Sequence, residues 1–186
     1  MLKALSRKIL EWAGWSAEVS VPMRDKCIIC VAPHTSNWDF ILGELYYASQ
    51  GRKAGFLMKK EWFFWPLGPI FRSMGGIPVV RSRNTSLTAQ LVEAAREAEY
   101  FNLAVTPEGT RKLVTTWKRG FYYIAQGAEI PIQLYAIDGK NKRIVCTKEI
   151  VPSGNADADF CEIMEYYRPF VGLEIKPGQF AVEEVG

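Results

Sequence analysis

The sequence predicts an α/β fold: a single domain whose mixed, mostly parallel sheet is flanked by helices and preceded by an N-terminal amphipathic helix. Three observations carry this. Short β-branched runs alternate with helical patterns along the chain, the order that lays helices over the faces of a sheet. A length of 186 residues suits one hydrophobic core. No internal repeat, low-complexity tract or long Pro/Gly/Ser linker divides the chain, so residues 1–186 are read as one domain.

The opening "MLKALSRKILEWAGWS", residues 1–16, places Leu2, Leu5, Ile9, Trp12 and Ala13 at helical spacing, with Lys3, Arg7 and Lys8 on other faces. At 1.5 Å per residue this helix is about 20 Å long, too short to cross a hydrocarbon core of roughly 30 Å. An apolar stripe, a basic flank and Trp12 and Trp15 suit a helix lying in a membrane interface; packing against its own domain is the competing reading. After it, "CIICVA", "AGFLM", "IPVVR", "NLAVTPE", "PIQLYAI" and "RIVCTKEIV" read as strands. Helical patterns run from Asn37 to Gln50, Thr85 to Tyr100 and Lys118 to Gln126. In open α/β sheets ligands sit beyond the carboxyl ends of the strands, and three unusual stretches fall at such junctions.

Composition excludes several functions. A net charge of +3 is far below a nucleic-acid footprint. Cys27, Cys30, Cys146 and Cys161 show neither disulfide density nor two matching metal-ligand pairs, so buried thiols in a reducing compartment are expected, with no metal. No run of 18 apolar residues exists, and Arg7, Lys8 and Glu11 interrupt any secretory leader. By contrast, 13% aromatic residues with six Trp exceed what core filling needs and suggest contact with lipid.

The first junction is "VAPHTSNWDF", which holds His34, the chain's single histidine, five positions before Asp39. Ser36 lies three residues before Asp39, an N-cap with an acid at N3, close to a capping box. If the loop folds back, the Asp39 carboxylate orients one imidazole nitrogen and leaves the other as a base that deprotonates a substrate hydroxyl. The second junction, "GGIPVVR", ends in Arg81; the third, "VTPEGTR", carries Glu108, Gly109, Thr110 and Arg111. Arginines at the ends of two strands offer multidentate donors for phosphate, and Gly109 allows close backbone approach to an anion.

In this order and spacing "HTSNWD", "GGIPVVR" and "TPEGTR", followed by "WKRGFYYIA" and "IPIQLY", resemble the motifs of the glycerophospholipid acyltransferase superfamily, typified by lysophosphatidic acid acyltransferases. The resemblance spans residues 27–137, the motif-bearing catalytic core. It implies His34 as general base and Asp39 as its orienting partner. It further implies Arg81, Glu108, Gly109, Thr110 and Arg111 as the acceptor's phosphate site, with Ser36 and Lys118 in support. The fatty acyl donor would be acyl-CoA or an acyl carrier protein thioester, the acceptor a lysophospholipid such as lysophosphatidic acid, and no cofactor or metal is implied. Peripheral attachment at the cytoplasmic face of the inner membrane would follow. The chain departs from the family pattern at Pro33, Pro78, Val80, Thr106 and Lys112, and Tyr135 stands near where the fourth motif has a later proline. An amino-acid-derived lipid acceptor, a thioesterase or hydrolase using His34 to activate water, and a non-catalytic lipid-binding module are the rival readings.

"KKEWFFWPLGPIFRSMGG", residues 59–76, adds a second candidate membrane contact through Trp62, Phe63, Phe64 and Trp65, with Lys59, Lys60 and Arg72 beside them and Pro66 and Pro69 breaking any long helix. Its competing reading is a buried aromatic cluster supporting the Arg81 loop. The last segment, 167–186, offers no motif.

Overall fold

The structure, a computed structural model, describes residues 2–73, 75–79 and 86–182. In chain order its elements are α1 (Leu2–Trp12), β1 (Ser16–Val19), β2 (Lys26–Ala32), α2 (Asn37–Ser49), β3 (Phe56–Lys59), α3 (Leu67–Ser73), β4 (Gly76–Val79), α4 (Leu87–Glu97), β5 (Phe101–Val105), α5 (Gly120–Ala128), β6 (Ile132–Asp138), β7 (Arg143–Ile150) and α6 (Ala156–Tyr167). Short 3-10 turns cover Lys60–Trp62 and Arg168–Phe170.

Five strands form one sheet in the order β1-β7-β6-β2-β5. All neighbours run parallel except β6 and β7, which pair antiparallel across the short Gly139–Lys142 turn. β3 and β4 make a separate parallel pair that touches the main sheet through a bridge between Gly55 and Leu103. Alternation along the buried central strand sorts its side chains to two cores. Ile28 and Cys30 join Leu103, Ile132, Phe121 and Ile163 on the side of α4, α5 and α6, while Cys27 and Ile29 join Leu42, Tyr46, Tyr135 and Leu10 on the side of α1 and α2. Burial pushes the Cys27 and Cys146 thiols up to about 12, so these cysteines act as small apolar side chains.

The expected architecture is present, with additions. β1 is a short exposed edge strand without apolar alternation, which left the sequence nothing to signal. α6 does carry a stripe, Phe160, Ile163, Met164 and Tyr167, all buried, behind the Asn155 cap. α4 runs from Leu87, and Thr85 lies outside the described residues.

α1 answers which face of the first helix is buried. Ser6 and Leu10 turn inward against α2, while Leu2, Leu5, Ile9 and Trp12 face out, Trp12 at 91% exposure. The apolar stripe is therefore the free face. Among the described residues no helix is long and apolar enough to cross a membrane.

Beyond α6, residues 171–182 run as a strap over the domain. Phe180 packs on Trp117, whose indole N–H donates to the Ala181 carbonyl at 3.3 Å. The Lys140 N–H donates to the Leu173 carbonyl, and Gly139 lies so close to Ile175 that a Cβ there would stand 2.7 Å from its nitrogen. Midway the strap passes the loop that carries His34: the Lys176 N–H donates to the buried Thr35 hydroxyl at 3.2 Å.

Candidate active site

β2 ends at Ala32, and Pro33 and His34 enter the loop before α2. Ser36 is the N-cap: its hydroxyl accepts from the Trp38 N–H at 3.3 Å, and Asp39 at N3 reaches back to the Ser36 N–H, a capping box. Asp39 Oδ2 accepts two backbone N–H bonds, from Thr35 and Ser36, each at 2.7 Å. The same oxygen lies 3.4 Å from His34 Nδ1. The carboxylate therefore shapes the loop and faces the imidazole at once. At 3.4 Å the pair is looser than a formed hydrogen bond. Neither Nδ1 nor Asp39 Oδ1 has another partner among the described residues, so a small ring rotation closes the bond and leaves Nε2 for the cavity that His34 lines.

Glu108 departs from its expected role as a phosphate ligand. It is 4% exposed, and its two carboxylate oxygens accept from the His34 backbone N–H at 3.0 and 3.1 Å. Burial pushes this carboxyl up to about 7, against the lowering effect of the His34 amide. A carboxylate repels phosphate, whereas one bonded to the His34 backbone fixes where the imidazole starts. Two acids thus hold one histidine, Asp39 at the ring and Glu108 at the main chain.

This arrangement also decides what cannot stabilise an oxyanion. The N–H groups of His34, Thr35 and Ser36 are all taken by carboxylates, and that of Gly109 donates to the Thr106 carbonyl. These four amides are therefore committed elsewhere. The cationic side chains Arg111 and Lys118, which line the same cavity, remain. Arg111 donates to Asn37 Oδ1. Gly109 has φ +64°, and a Cβ there would collide with the Lys118 side chain, so a residue without one lets the ammonium group lie over the turn. Thr110 uses its hydroxyl oxygen to accept from the Lys112 N–H, which braces the turn and leaves the O–H as a donor. Arg81 lies outside the described residues.

These groups rim a cavity of about 830 Å³, ample for a long aliphatic ligand. Its walls are mostly apolar, with Ile29, Tyr46 and Ile144 on one side of the sheet and Leu91, Phe121 and Ile124 on the other. Among the polar lining residues that the sequence did not mark for the site, beside Asn37, Tyr46, Tyr47, Thr88 and Thr106, are Glu44 on α2 and Tyr135 on β6. Burial pushes the Glu44 carboxyl up to about 7.

The aromatic segments divide. Trp62, Phe64 and Trp65 are exposed, Trp65 at 84%. Phe63 instead turns inward, stacked edge-on against Phe71 and beneath the Arg72 guanidinium, and Trp15 is half-buried against the α1–α2 core. These two were expected at a membrane; ring packing holds them in the protein.

The acyltransferase family model matches residues 18–137. Among solved structures, the crystal structure of the 1-acyl-sn-glycerophosphate (LPA) acyltransferase PlsC from Thermotoga maritima is similar, with a TM-score of 0.56 at 18% identity over 82% of this chain and 68% of that one. No curated protein matches.

Two outcomes test this geometry. Asp39→Asn keeps an acceptor for the Thr35 and Ser36 amides but loses the charge facing the imidazole; turnover should drop on the order of 10²- to 10⁴-fold while circular dichroism stays native. Glu44, whose folded-state carboxyl lies above its ordinary value, contributes stability that is full below about pH 4.5 and is lost as pH rises to about 7. Glu44→Gln should therefore melt higher than the wild type at pH 8, with the gap shrinking by pH 4.5; a constant gap in calorimetry refutes the assignment.

Proposed function

The chain belongs to the acyltransferase family and is an acyltransferase, and from that premise we propose that it moves a fatty acyl group from an acyl-CoA or acyl carrier protein thioester to a hydroxyl of a lysophospholipid, lysophosphatidic acid being the leading acceptor. The observation that carries this reading is the junction of an oriented histidine with a long apolar cavity rimmed by cations. A base alone suits many substrates. A base at the mouth of a cavity for a chain, beside Arg111 and Lys118 for a phosphate, suits an acyl chain meeting a phospholipid precursor.

In the proposed reaction His34 Nε2 takes the proton of the acceptor hydroxyl, whose oxygen attacks the thioester carbon. The tetrahedral intermediate collapses with cleavage of the C–S bond, and the thiolate leaves with the proton returned by His34. Asp39 holds Nδ1 and offsets the charge of the transient imidazolium. With the neighbouring amides occupied, Arg111 or Lys118 supplies the positive charge near the developing oxyanion. Glu108, bonded to the His34 backbone, is a positioning residue.

The protein acts, on this reading, at a membrane surface. Trp12, Trp62, Phe64 and Trp65 are exposed, and so is the α1 stripe of Leu2, Leu5 and Ile9. Aromatic rings exposed beside Lys60 and Arg72 match the chemistry of a headgroup region. Attachment to the cytoplasmic face is part of the proposal.

His34→Ala should lower acyl transfer from an acyl-CoA to lysophosphatidic acid by at least about 10²-fold; full activity in the variant overturns the mechanism, and equal thioester loss with no acceptor present identifies a hydrolase instead. For the membrane, the double change Trp12→Glu with Trp65→Glu should weaken flotation with anionic liposomes at least about tenfold. Wild-type protein that remains in the soluble fraction defeats the peripheral attachment.

A further inference from the structure

We infer that the cavity selects an acyl chain bearing a mid-chain hydroxyl, recognised by the Tyr135 hydroxyl and the Glu44 carboxyl. This rests on the acyl-transfer reading for the identity of the chain, and on the cavity itself for the polar groups. A channel for a plain hydrocarbon needs only apolar walls, and most of this one has them. Tyr135 breaks the pattern. It is 3% exposed and lines the cavity, with the rings of Tyr46 and Tyr47 at 5.9 and 6.0 Å, and its hydroxyl, close to the Tyr46 and Tyr47 hydroxyls and the Cys146 thiol, forms no well-aligned hydrogen bond among the described residues. Phenylalanine would fill the same volume without burying a hydroxyl that lacks a well-aligned partner, which is destabilising.

Glu44 is the second exception. Asp39 and Glu44 are the acidic residues on the cavity wall, and Asp39 is already engaged with the His34 loop. Glu44 has no hydrogen bond or ion pair among the described residues, and desolvation is the cause of its raised pKa. Near neutrality such a carboxyl is present in both forms, so it donates to or accepts from a hydroxyl.

Both groups stand back from His34 along the chain. Glu44 follows Asp39 by five residues, about 7.5 Å along the helix axis. Tyr135 stands opposite Val31 in the β6–β2 register, three residues and about 10 Å back from His34. A hydroxyl meeting them is therefore several carbons from the reacting carbonyl, not adjacent to it. Sites built to hydrogen-bond a hydroxyl discriminate strongly against the chain that lacks it, because the partner groups are then left unpaired.

The test uses the full chain and pairs of acyl groups of equal length with and without a mid-chain hydroxyl. Binding of the free hydroxylated and plain fatty acids is measured by calorimetry in the His34→Ala variant, where turnover plays no part. Transfer is measured in the wild type with the hydroxyl placed either on the CoA donor or on the chain already carried by the lysophospholipid. Binding should favour the hydroxylated chain at least about tenfold, and Tyr135→Phe and Glu44→Leu should each remove most of that preference. The transfer arm that shows the same preference identifies whether donor or acceptor chain occupies the cavity. Equal binding of the two acids overturns the inference, whatever the turnover. Absence of any thioester turnover with a binding preference intact would overturn the acyl-transfer reading alone. Tyr135→Phe has a further readout: it should melt higher than the wild type without ligand, and a lower melting temperature would place the hydroxyl in the fold rather than in recognition.

Discussion

Everything at this site hangs from one oxygen. Asp39 Oδ2 accepts the Thr35 and Ser36 N–H groups at 2.7 Å and stands 3.4 Å from His34 Nδ1. Bonds from backbone N–H to a buried carboxylate are charge-assisted, worth about 1.5–3 kcal/mol each. They offset the desolvation of a side chain that is 1% exposed. Once those two bonds form, the loop between β2 and α2 has one shape, and the imidazole follows from it. Capping the helix and facing the imidazole are consequently one act of the same carboxylate.

A second layer of constraint comes from residues distant in sequence. Glu108 holds the His34 amide across 74 residues, and the strap from residue 171 onward secures Thr35 across 141. Each addresses a different degree of freedom: Glu108 the position of the histidine main chain, Thr35 the path of the loop between histidine and cap. On the proposed mechanism, rigid supports of this kind keep the His34 nitrogen within the small tolerance that proton transfer demands. They also explain why the tail, which has no motif, is tied down by the Trp117–Phe180 packing and the close approach at Gly139.

What the sequence disclosed and what it hid divide along the same line. The capping box, the facing of His34 and Asp39, and the strand-then-helix order were legible because they are set within five or so residues or by periodicity. The role of Glu108 was not, because "TPEGTR" looks the same whether its carboxylate meets a ligand or another loop; only the fold brings His34 to it. α1 was half legible: spacing gave its apolar stripe, but the choice of Ser6 and Leu10 as the inward face depended on where α2 lies. Tyr135 and Glu44 were hidden for a further reason. A tyrosine in a strand and a glutamate in a helix are unremarked until both are found on the wall of one apolar cavity.

The distribution of polarity then gives the site a direction. Cations and the base collect at the rim, where Arg111, Lys118 and His34 meet, and apolar walls continue inward beneath α2 and toward α4 and α5. A substrate with a charged head and a hydrocarbon tail has one favourable way to enter such a space, because reversing it would bury the charge and leave cations unpaired. Orientation thus comes from desolvation rather than from a dedicated clamp. Gly109 sharpens the effect: with no side chain at φ +64°, it leaves room for the Lys118 ammonium over the turn. The same logic bears on the exposed rings of Trp62, Phe64 and Trp65. A tail that must leave lipid to reach the cavity crosses less water if the protein rests on the surface the tail comes from.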